Sequence, residues 1–196
     1  MEPIILASSS PRRQEILKLM NIPFQVVMPN IDEKTDGTIP AEQVPEYLAK
    51  KKVEAVVQML PPKQEIPWVL GADTVIVLDG KLYGKPESQE QAAVFLKELQ
   101  GRTHSAITAI ALFNGRKHCT VSHTSITRVT FNAMSDAEIE WFINTGDWHG
   151  AAGAYRIQGL ASCFISKIEG TNSCVVGLPI FDLYDILKSQ GYSILD

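Results

Sequence analysis

Short apolar runs typical of β-strands alternate along the chain with segments in which apolar residues recur at helical spacing. This alternation restricts the fold more than any other feature of the sequence. Strands are predicted at residues 3–7, 24–28, 68–70, 75–78, 81–83, 103–113, 119–131 and 163–168. Helices are predicted at residues 12–20, 42–60, 88–100, 135–143 and 179–190. Because strands and helices interleave, we expect an α/β protein with a mixed, twisted sheet and flanking helices.

Local signals indicate where some of these elements begin and end. Asp79-Gly80 predicts a tight hairpin between two strands, and Asn114-Gly115 predicts the turn between two longer ones. Ser135 and Glu138 have the spacing of a capping box, which opens a helix. Residues 61 and 62, both proline, are expected to stop the helix that precedes them.

Composition excludes several classes of function. A chain of 196 residues with 20% charged residues is typical of one globular domain, and we expect residues 1–196 to form one domain with two lobes around a cleft. The net charge of −4 argues against nucleic-acid or membrane partners. Three cysteines without CxxC spacing argue against a disulfide framework or a structural zinc site. With no signal-peptide pattern and no run near ~18 apolar residues, we expect a cytoplasmic protein.

A serine cluster followed by two arginines marks the first strand-to-helix transition. Ser8, Ser9 and Ser10 precede a proline, which suits the first helical position, and then come Arg12 and Arg13. Backbone N–H groups and the helix dipole favour an anion at such a place, and guanidinium groups match phosphate oxygens. Phosphate binding is therefore one interpretation, and an ordinary helix cap with solvated arginines is the other.

Other polar residues lie in places that need an explanation. Asp73 stands between apolar segments at 71–74, where we expect a turn or bulge; a divalent cation, an activated water or a turn-capping role would each account for its carboxylate. Lys85 follows a predicted strand, Lys52 ends a lysine run that would usually be a solvated face, and Glu33 lies in a polar loop. Each of these has an ordinary structural alternative.

The stretch 150–159 is rich in small residues, which permits close approach of backbone to a ligand. Gln158 within it could bind a base edge through its amide, although a hydrogen-bonded core glutamine is the alternative. The four histidines show no metal-ligand spacing, and the chain has no GxSxG elbow, Walker loop or GxGxxG fingerprint. Several common enzyme classes are thereby excluded.

Six short motifs carry a family resemblance. They are residues 7–13 (ASSSPRR), 48–52 (LAKKK), 71–75 (GADTV), 84–86 (GKP), 152–159 (AGAYRIQG) and 175–179 (VVGLP). Their order and spacing resemble those of the Maf family over nearly the whole chain. The resemblance implies a nucleotide pyrophosphatase with an elongated, inosine-triphosphatase-like α/β fold and a central cleft. It also implies a divalent metal (Mg²⁺ or Mn²⁺), frequent homodimers, and a link to noncanonical nucleotides and septum formation.

The resemblance extends to one branch of the family. Arg12, Thr74 and Gln158 resemble the specificity residues of the dTTP/UTP pyrophosphatase branch, whereas the 7-methyl-GTP branch carries tryptophan, glutamine and glutamate there. A neutral amide suits a uracil or thymine edge, so we favour dTTP and UTP over 7-methyl-GTP. One position departs from the family pattern, since Ala151 stands where a lysine is usual.

These expectations combine into a site for triphosphate hydrolysis. Asp73 is expected to be the general base or a metal ligand, with Glu33 as a second metal ligand. Substrate-binding residues are expected to be Ser8, Arg12, Arg13, Lys52, Thr74, Lys85 and Gln158. Two alternatives from other classes remain, a nucleotide-binding regulator without catalysis and a structural partner in septation.

Overall fold

The computed structural model describes residues 1–35, 37–61 and 68–195. Within them, seven strands form one sheet: β1 (Ile4–Leu6), β2 (Phe24–Val26), β3 (Trp68–Leu78), β4 (Lys81–Tyr83), β5 (Thr103–Asn114), β6 (Cys119–Phe131) and β7 (Ile165–Glu169). The strand order is β2-β1-β3-β5-β6-β7, and β4 pairs with β3. β1 runs parallel to both of its neighbours and the other pairs are antiparallel. The prediction of a mixed sheet is confirmed.

The helices that flank the sheet within the described residues are α1 (Pro11–Leu19), α2 (Val44–Met59), α3 (Gln89–Leu99), α4 (Asp136–Asn144), α5 (Asn172–Val176) and α6 (Ile180–Gln190). Five of these were predicted, and the short α5 was not. α2 ends before Pro61, as expected, while Pro62 lies outside the described residues. The predicted strand at 163–168 begins too early, because Leu160–Phe164 forms a 3-10 helix before β7.

Local turn and cap signals give the expected structures. Asp79 and Gly80 have φ values of 51° and 74°, the left-handed conformation that a type I′ hairpin requires. The hydroxyl of Ser135 accepts the backbone N–H of Glu138, whose carboxylate accepts the N–H of Ser135, so the capping box is complete. The side-chain oxygen of Asn114 accepts two backbone N–H groups in the turn between β5 and β6.

The predicted turn or bulge at residues 71–74 is wrong. β3 continues through it in unbroken register with β5, so that Gly71 lies opposite Ala111 and Asp73 opposite Ala109. The glycine serves close packing instead. A Cβ at Gly71 would lie 2.5 Å from the carbonyl oxygen of Ala49 and 2.8 Å from a methyl carbon of Val53, both on α2. Only glycine lets α2 cross β3 at this distance, and that crossing positions the candidate site.

β3 lies at the centre of the hydrophobic core. Its side chains enter four separate apolar clusters: Ile76 packs with the α3 and α4 side, Leu70 with β1, α1 and α6, and Val69 and Val75 against α2. Since alternate residues of a strand point to opposite faces, β3 is covered on both sides. Asp73 is therefore a carboxylate on the most enclosed strand of the sheet. None of the helices in the described ranges is both long and apolar enough to span a bilayer.

Candidate active site

One cleft of about 870 Å³ contains all of the candidate site residues. Its volume is in the range of sites that take small molecules. It lies between the loop that follows β1, the start of α1, α2, β3 and the loop that follows α4. The candidate residues that line it are Ser8, Arg12, Arg13, Glu33, Lys52, Asp73, Thr74, Lys85 and Gln158.

The guanidinium of Arg13 is buried and held by three neutral acceptors. Its Nε donates to the carbonyl of Gly177 at 2.8 Å, its Nη1 to the hydroxyl of Ser8 at 3.0 Å, and its Nη2 to the hydroxyl of Thr74 at 3.2 Å. Burial lowers the pKa of Arg13, while the nearby Asp73 carboxylate raises it. Because none of the three hydrogen-bond partners carries a charge, the positive charge of Arg13 remains available to a ligand.

The hydroxyl of Thr74 belongs to a chain of hydrogen bonds whose direction can be assigned. The hydroxyl of Thr108 donates to the carbonyl of Cys174 at 2.7 Å, so its oxygen must accept the proton of Thr74 at 2.8 Å. Thr74 in turn accepts from Arg13. It therefore has no hydroxyl proton left for a ligand, and it can contact one only through a lone pair or its methyl group.

Lys52, Asp73 and Glu33 form a compact charged cluster. The Nζ of Lys52 lies 2.6 Å from Oδ1 of Asp73 and 2.7 Å from Oε1 of Glu33. The side chains of Lys52 and Asp73 are only 6% and 10% exposed, whereas that of Glu33 is 49% exposed. The alternative of a solvated face thus does not hold at Lys52, which points inward and pairs with the buried carboxylate of Asp73.

The charges of this cluster shift the titration of Glu33. Its partial burial raises the pKa, but the hydrogen bond from Lys52 and the positive charges of Lys52, Lys85 and Arg13 outweigh that effect. The pKa of Glu33 consequently lies below its ordinary value of 4.5. The Glu33 carboxylate is therefore an anion at neutral pH, a state in which it can bind a cation.

The remaining candidates lie closer to the mouth of the cleft. Arg12 donates from Nη2 to the carbonyl of Gly150 at 3.0 Å. Gln158 is exposed on the cleft wall, so the alternative of a core glutamine is wrong. Lys85 is also exposed, and its charge reaches Glu33. The cleft thus has an inner end around Arg13 and Lys52, and an outer end around Arg12 and Gln158.

Four residues of this site were not predicted from the sequence. Thr108 fixes Thr74, and the carbonyl groups of Gly177 and Gly150 fix the two arginines. Arg156 also lines the cleft. The pKa of Arg12 is lowered mainly by its burial and further by the positive charge of Arg156. The sequence offered one signal at Gly150 and Gly177, which is that both are glycine; their φ values of 66° and 116° are conformations that favour this residue.

The described residues contain no group of three or more His, Cys, Asp or Glu side chains with metal-site geometry. Two carboxylates do converge on one cation, however, since Asp73 and Glu33 both contact the ammonium of Lys52. Mg²⁺ is usually bound by one or two carboxylates together with phosphate oxygens and water. The donor set around Lys52 fits such an ion when a phosphate ligand completes it.

A cleft at a helix N-terminus, lined by arginine and lysine and holding two carboxylates, defines an α/β protein that binds a phosphorylated small molecule. The family model described as "Maf-like protein" matches residues 3–190, and the chain belongs to that family. The expected family resemblance is thereby confirmed.

Three curated relatives are each described as a dTTP/UTP pyrophosphatase. The chain is 42% identical to the dTTP/UTP pyrophosphatase of Pelotomaculum thermopropionicum, over 100% of both chains. It is 41% identical to that of Desulforamulus reducens over 100% of both chains, and 40% identical to that of Salmonella typhimurium over 96% of this chain and 93% of the relative. Among solved structures, the Ham1 protein of Staphylococcus aureus matches 66% of this chain and 72% of its own, with 18% identity and a TM-score of 0.46.

Proposed function

We propose that this protein is a nucleoside triphosphate pyrophosphatase that hydrolyses dTTP and UTP to the monophosphate and pyrophosphate. The names of the full-length relatives support this activity. The observation that carries it is the buried carboxylate of Asp73, 2.6 Å from Lys52, in a cleft that also contains Arg12, Arg13 and Lys85. This arrangement places a proton acceptor among groups that bind phosphate.

The cationic groups address the main obstacle to the reaction, which is the approach of water to a polyanion. Arg13, Lys52 and Lys85 would bind phosphate oxygens, with Ser8 and Arg12 as further donors. Preorganised donors of this kind stabilise negative charge without reorganising during the reaction. Arg13 meets this requirement, because its hydrogen bonds already fix its orientation.

Asp73 is proposed as the general base. Its carboxylate would accept a proton from water while the water oxygen bonds to the α-phosphorus and the bond from that phosphorus to the bridging oxygen breaks. Pyrophosphate then leaves with the bonding electron pair. Asp73 and Glu33 would hold a divalent cation, Mg²⁺ or Mn²⁺, which when bound would neutralise phosphate charge. Lys52 has three N–H donors, so it can hold Asp73 and contact a phosphate oxygen together.

The base would lie at the outer end of the cleft. The exposed amide of Gln158 offers both a donor and an acceptor, which match the edge of uracil or thymine. Arg12, fixed by Gly150, adds donors beside it. Thr74 would contact the nucleotide through its free lone pair or methyl group, because its proton is bound to Thr108.

The activity is tested by pyrophosphate release from dTTP, UTP, 7-methyl-GTP and ATP, each with and without Mg²⁺. In the wild type we expect release from dTTP and UTP to exceed that from the other two. Asp73→Asn should reduce turnover about 10²- to 10⁴-fold, the usual range for a lost general base, with nucleotide binding largely retained. Asp79→Asn is the matched control, since Asp79 lies in the β3–β4 turn and pairs with Arg102. Equal turnover of Asp73→Asn and wild type would exclude Asp73 as the base.

We further propose a single domain with two lobes around the cleft and a homodimer in the cytoplasm. The cleft between α2, β3 and the loop after α4 supports the two-lobed arrangement. Light scattering coupled to size exclusion measures the oligomer, and one cooperative unfolding transition is expected of a single domain. Localisation can be followed by fractionation of cells that contain the tagged chain.

A further inference from the structure

Arg156 binds one loop of the cleft wall at three acceptors. Its Nη1 donates to the backbone carbonyl of Asp147 and, at 2.8 Å, to the Asp147 carboxylate, while its Nη2 donates to the carbonyl of His149. The other carboxylate oxygen of Asp147 accepts the backbone N–H of Leu160 at 2.9 Å. The arginine and aspartate side chains are only 26% and 20% exposed, so this is a half-buried, multiply bonded pair.

The same loop fixes Arg12. Gly150 follows His149 directly, and its carbonyl accepts the guanidinium of Arg12 at 3.0 Å. The carbonyl of His149 thus accepts from Arg156, and the next carbonyl, that of Gly150, accepts from Arg12. The two guanidinium groups also lie near enough for the charge of Arg156 to act on Arg12. Without a fixed loop, repulsion between these like charges would favour a different position of Arg12.

The loop itself offers no substitute for this contact. Between Gly150 and Tyr155 the chain contains only alanine and glycine, and Ala151 is buried with 2% exposure. No side chain of that segment can bond to Arg12. The position of Arg12 therefore depends on a backbone carbonyl, and that carbonyl depends on Arg156.

We infer that Arg156 is a positioning residue, which fixes the Gly150 carbonyl and through it sets the guanidinium of Arg12 against the nucleotide. This inference rests on the proposed function, in which Arg12 contacts the substrate. Three of the five N–H groups of the Arg156 guanidinium donate to acceptors of this loop, and the inferred role is exerted through Arg12. A lysine cannot replace it, because one ammonium lacks the planar fork that reaches the carbonyl groups and the carboxylate together.

A double-mutant cycle tests the inference. The dissociation constant of a non-hydrolysable UTP analogue (α,β-imido-UTP) is measured for the wild type, Arg156→Ala, Arg12→Ala and the double variant, together with KM and kcat for UTP. We expect Arg156→Ala to raise the dissociation constant and KM about 10-fold while kcat changes less than about threefold, as coupled neighbours do. In the Arg12→Ala background the same change should have no further effect. Additive effects would overturn the inference, as would unchanged binding in Arg156→Ala.

Two further variants separate positioning from charge and from folding. Arg156→Lys should bind the analogue as poorly as Arg156→Ala, and full rescue by lysine would show that charge alone suffices. Asp147→Asn keeps the arginine but removes the carboxylate charge, and a smaller rise in the dissociation constant is expected; it decides the question if Arg156→Ala does not fold. Arg102→Ala is the matched control, an arginine paired with a turn aspartate outside the cleft.

Failure of the proposed function would look different. A wild-type protein that binds the analogue but releases no pyrophosphate from UTP or dTTP would contradict the enzyme activity. The binding cycle would still decide the role of Arg156. A wild-type protein that binds no nucleotide would overturn both.

Discussion

Replacing Gly71 by alanine should disturb the site without touching any of its charged groups. Gly71 lies on β3 where α2 crosses it, and the added Cβ would come within 2.5 Å of the Ala49 carbonyl oxygen. That oxygen belongs to the helix backbone, so no side-chain rotation can relieve the contact. The helix that carries Lys52 must move away from the strand that carries Asp73.

The size of the movement follows from the geometry. The distance of 2.5 Å falls about 0.9 Å short of the 3.4 Å at which ordinary contact begins. A shift of α2 by that amount would lengthen the 2.6 Å contact between Lys52 and Asp73 to about 3.5 Å, the limit of a hydrogen bond. Overpacking of this kind costs about 1–3 kcal/mol, and the reduced entropy of the unfolded chain offsets about 0.4–1 kcal/mol of it.

We therefore expect Gly71→Ala to lower the free energy of unfolding by about 1–2 kcal/mol and to reduce kcat for UTP more than about tenfold. Urea denaturation measures the first quantity and pyrophosphate release the second. Gly84→Ala is the matched control for stability, because its Cβ would meet only a side-chain carbon of Leu82 at 3.9 Å. A Gly71→Ala variant as stable and active as the wild type would refute the close crossing of α2 and β3.

Two other predictions concern stability. His104 shares a 2.8 Å hydrogen bond with Tyr155, and burial lowers the pKa of His104 to about 4. The folded state then binds fewer protons than the unfolded state below pH 6.5, so about 3 kcal/mol of stability should be lost as the pH falls from 6.5 to 4. Urea denaturation of His104→Gln should show a shallower pH dependence, and an identical one would contradict this assignment. Ser135→Ala removes the capping box of α4 and should cost about 1 kcal/mol by the same assay; no loss would mean that the cap adds nothing.

Much of the fold could be predicted because its signals are local. The Asp79-Gly80 turn and the Ser135 capping box depend on residues within four positions of each other, and both are present in the structure. Gly71 was misread for the opposite reason. A glycine between two apolar runs suggests a break, and only the approach of α2, a distant segment, shows that it is a packing position.

The residues of the candidate site also differ in how far the sequence alone could reveal them. Its charged residues could be found from residue type and motif, since arginine, lysine and aspartate between apolar segments are conspicuous in sequence. The hydrogen-bond acceptors that fix these charged residues could not be found in this way. Arg13 donates to the carbonyl of Gly177, and Arg12 to that of Gly150, across more than a hundred residues of chain. Any residue can supply a backbone carbonyl, so sequence contains no direct sign of such an acceptor.

The charges along the cleft differ in how they are balanced, and this bears on what the cleft can hold. Arg13 is hydrogen-bonded only to neutral oxygens, whereas the ammonium of Lys52 is paired directly with the two carboxylates of Asp73 and Glu33. A polyanion is therefore attracted to the arginine and repelled by the two carboxylates a short distance away. A second cation would relieve this repulsion, as would movement of Glu33, the more exposed carboxylate. A triphosphate that carries a divalent cation would bring that second cation with it, as the proposed function requires, and a free triphosphate would not.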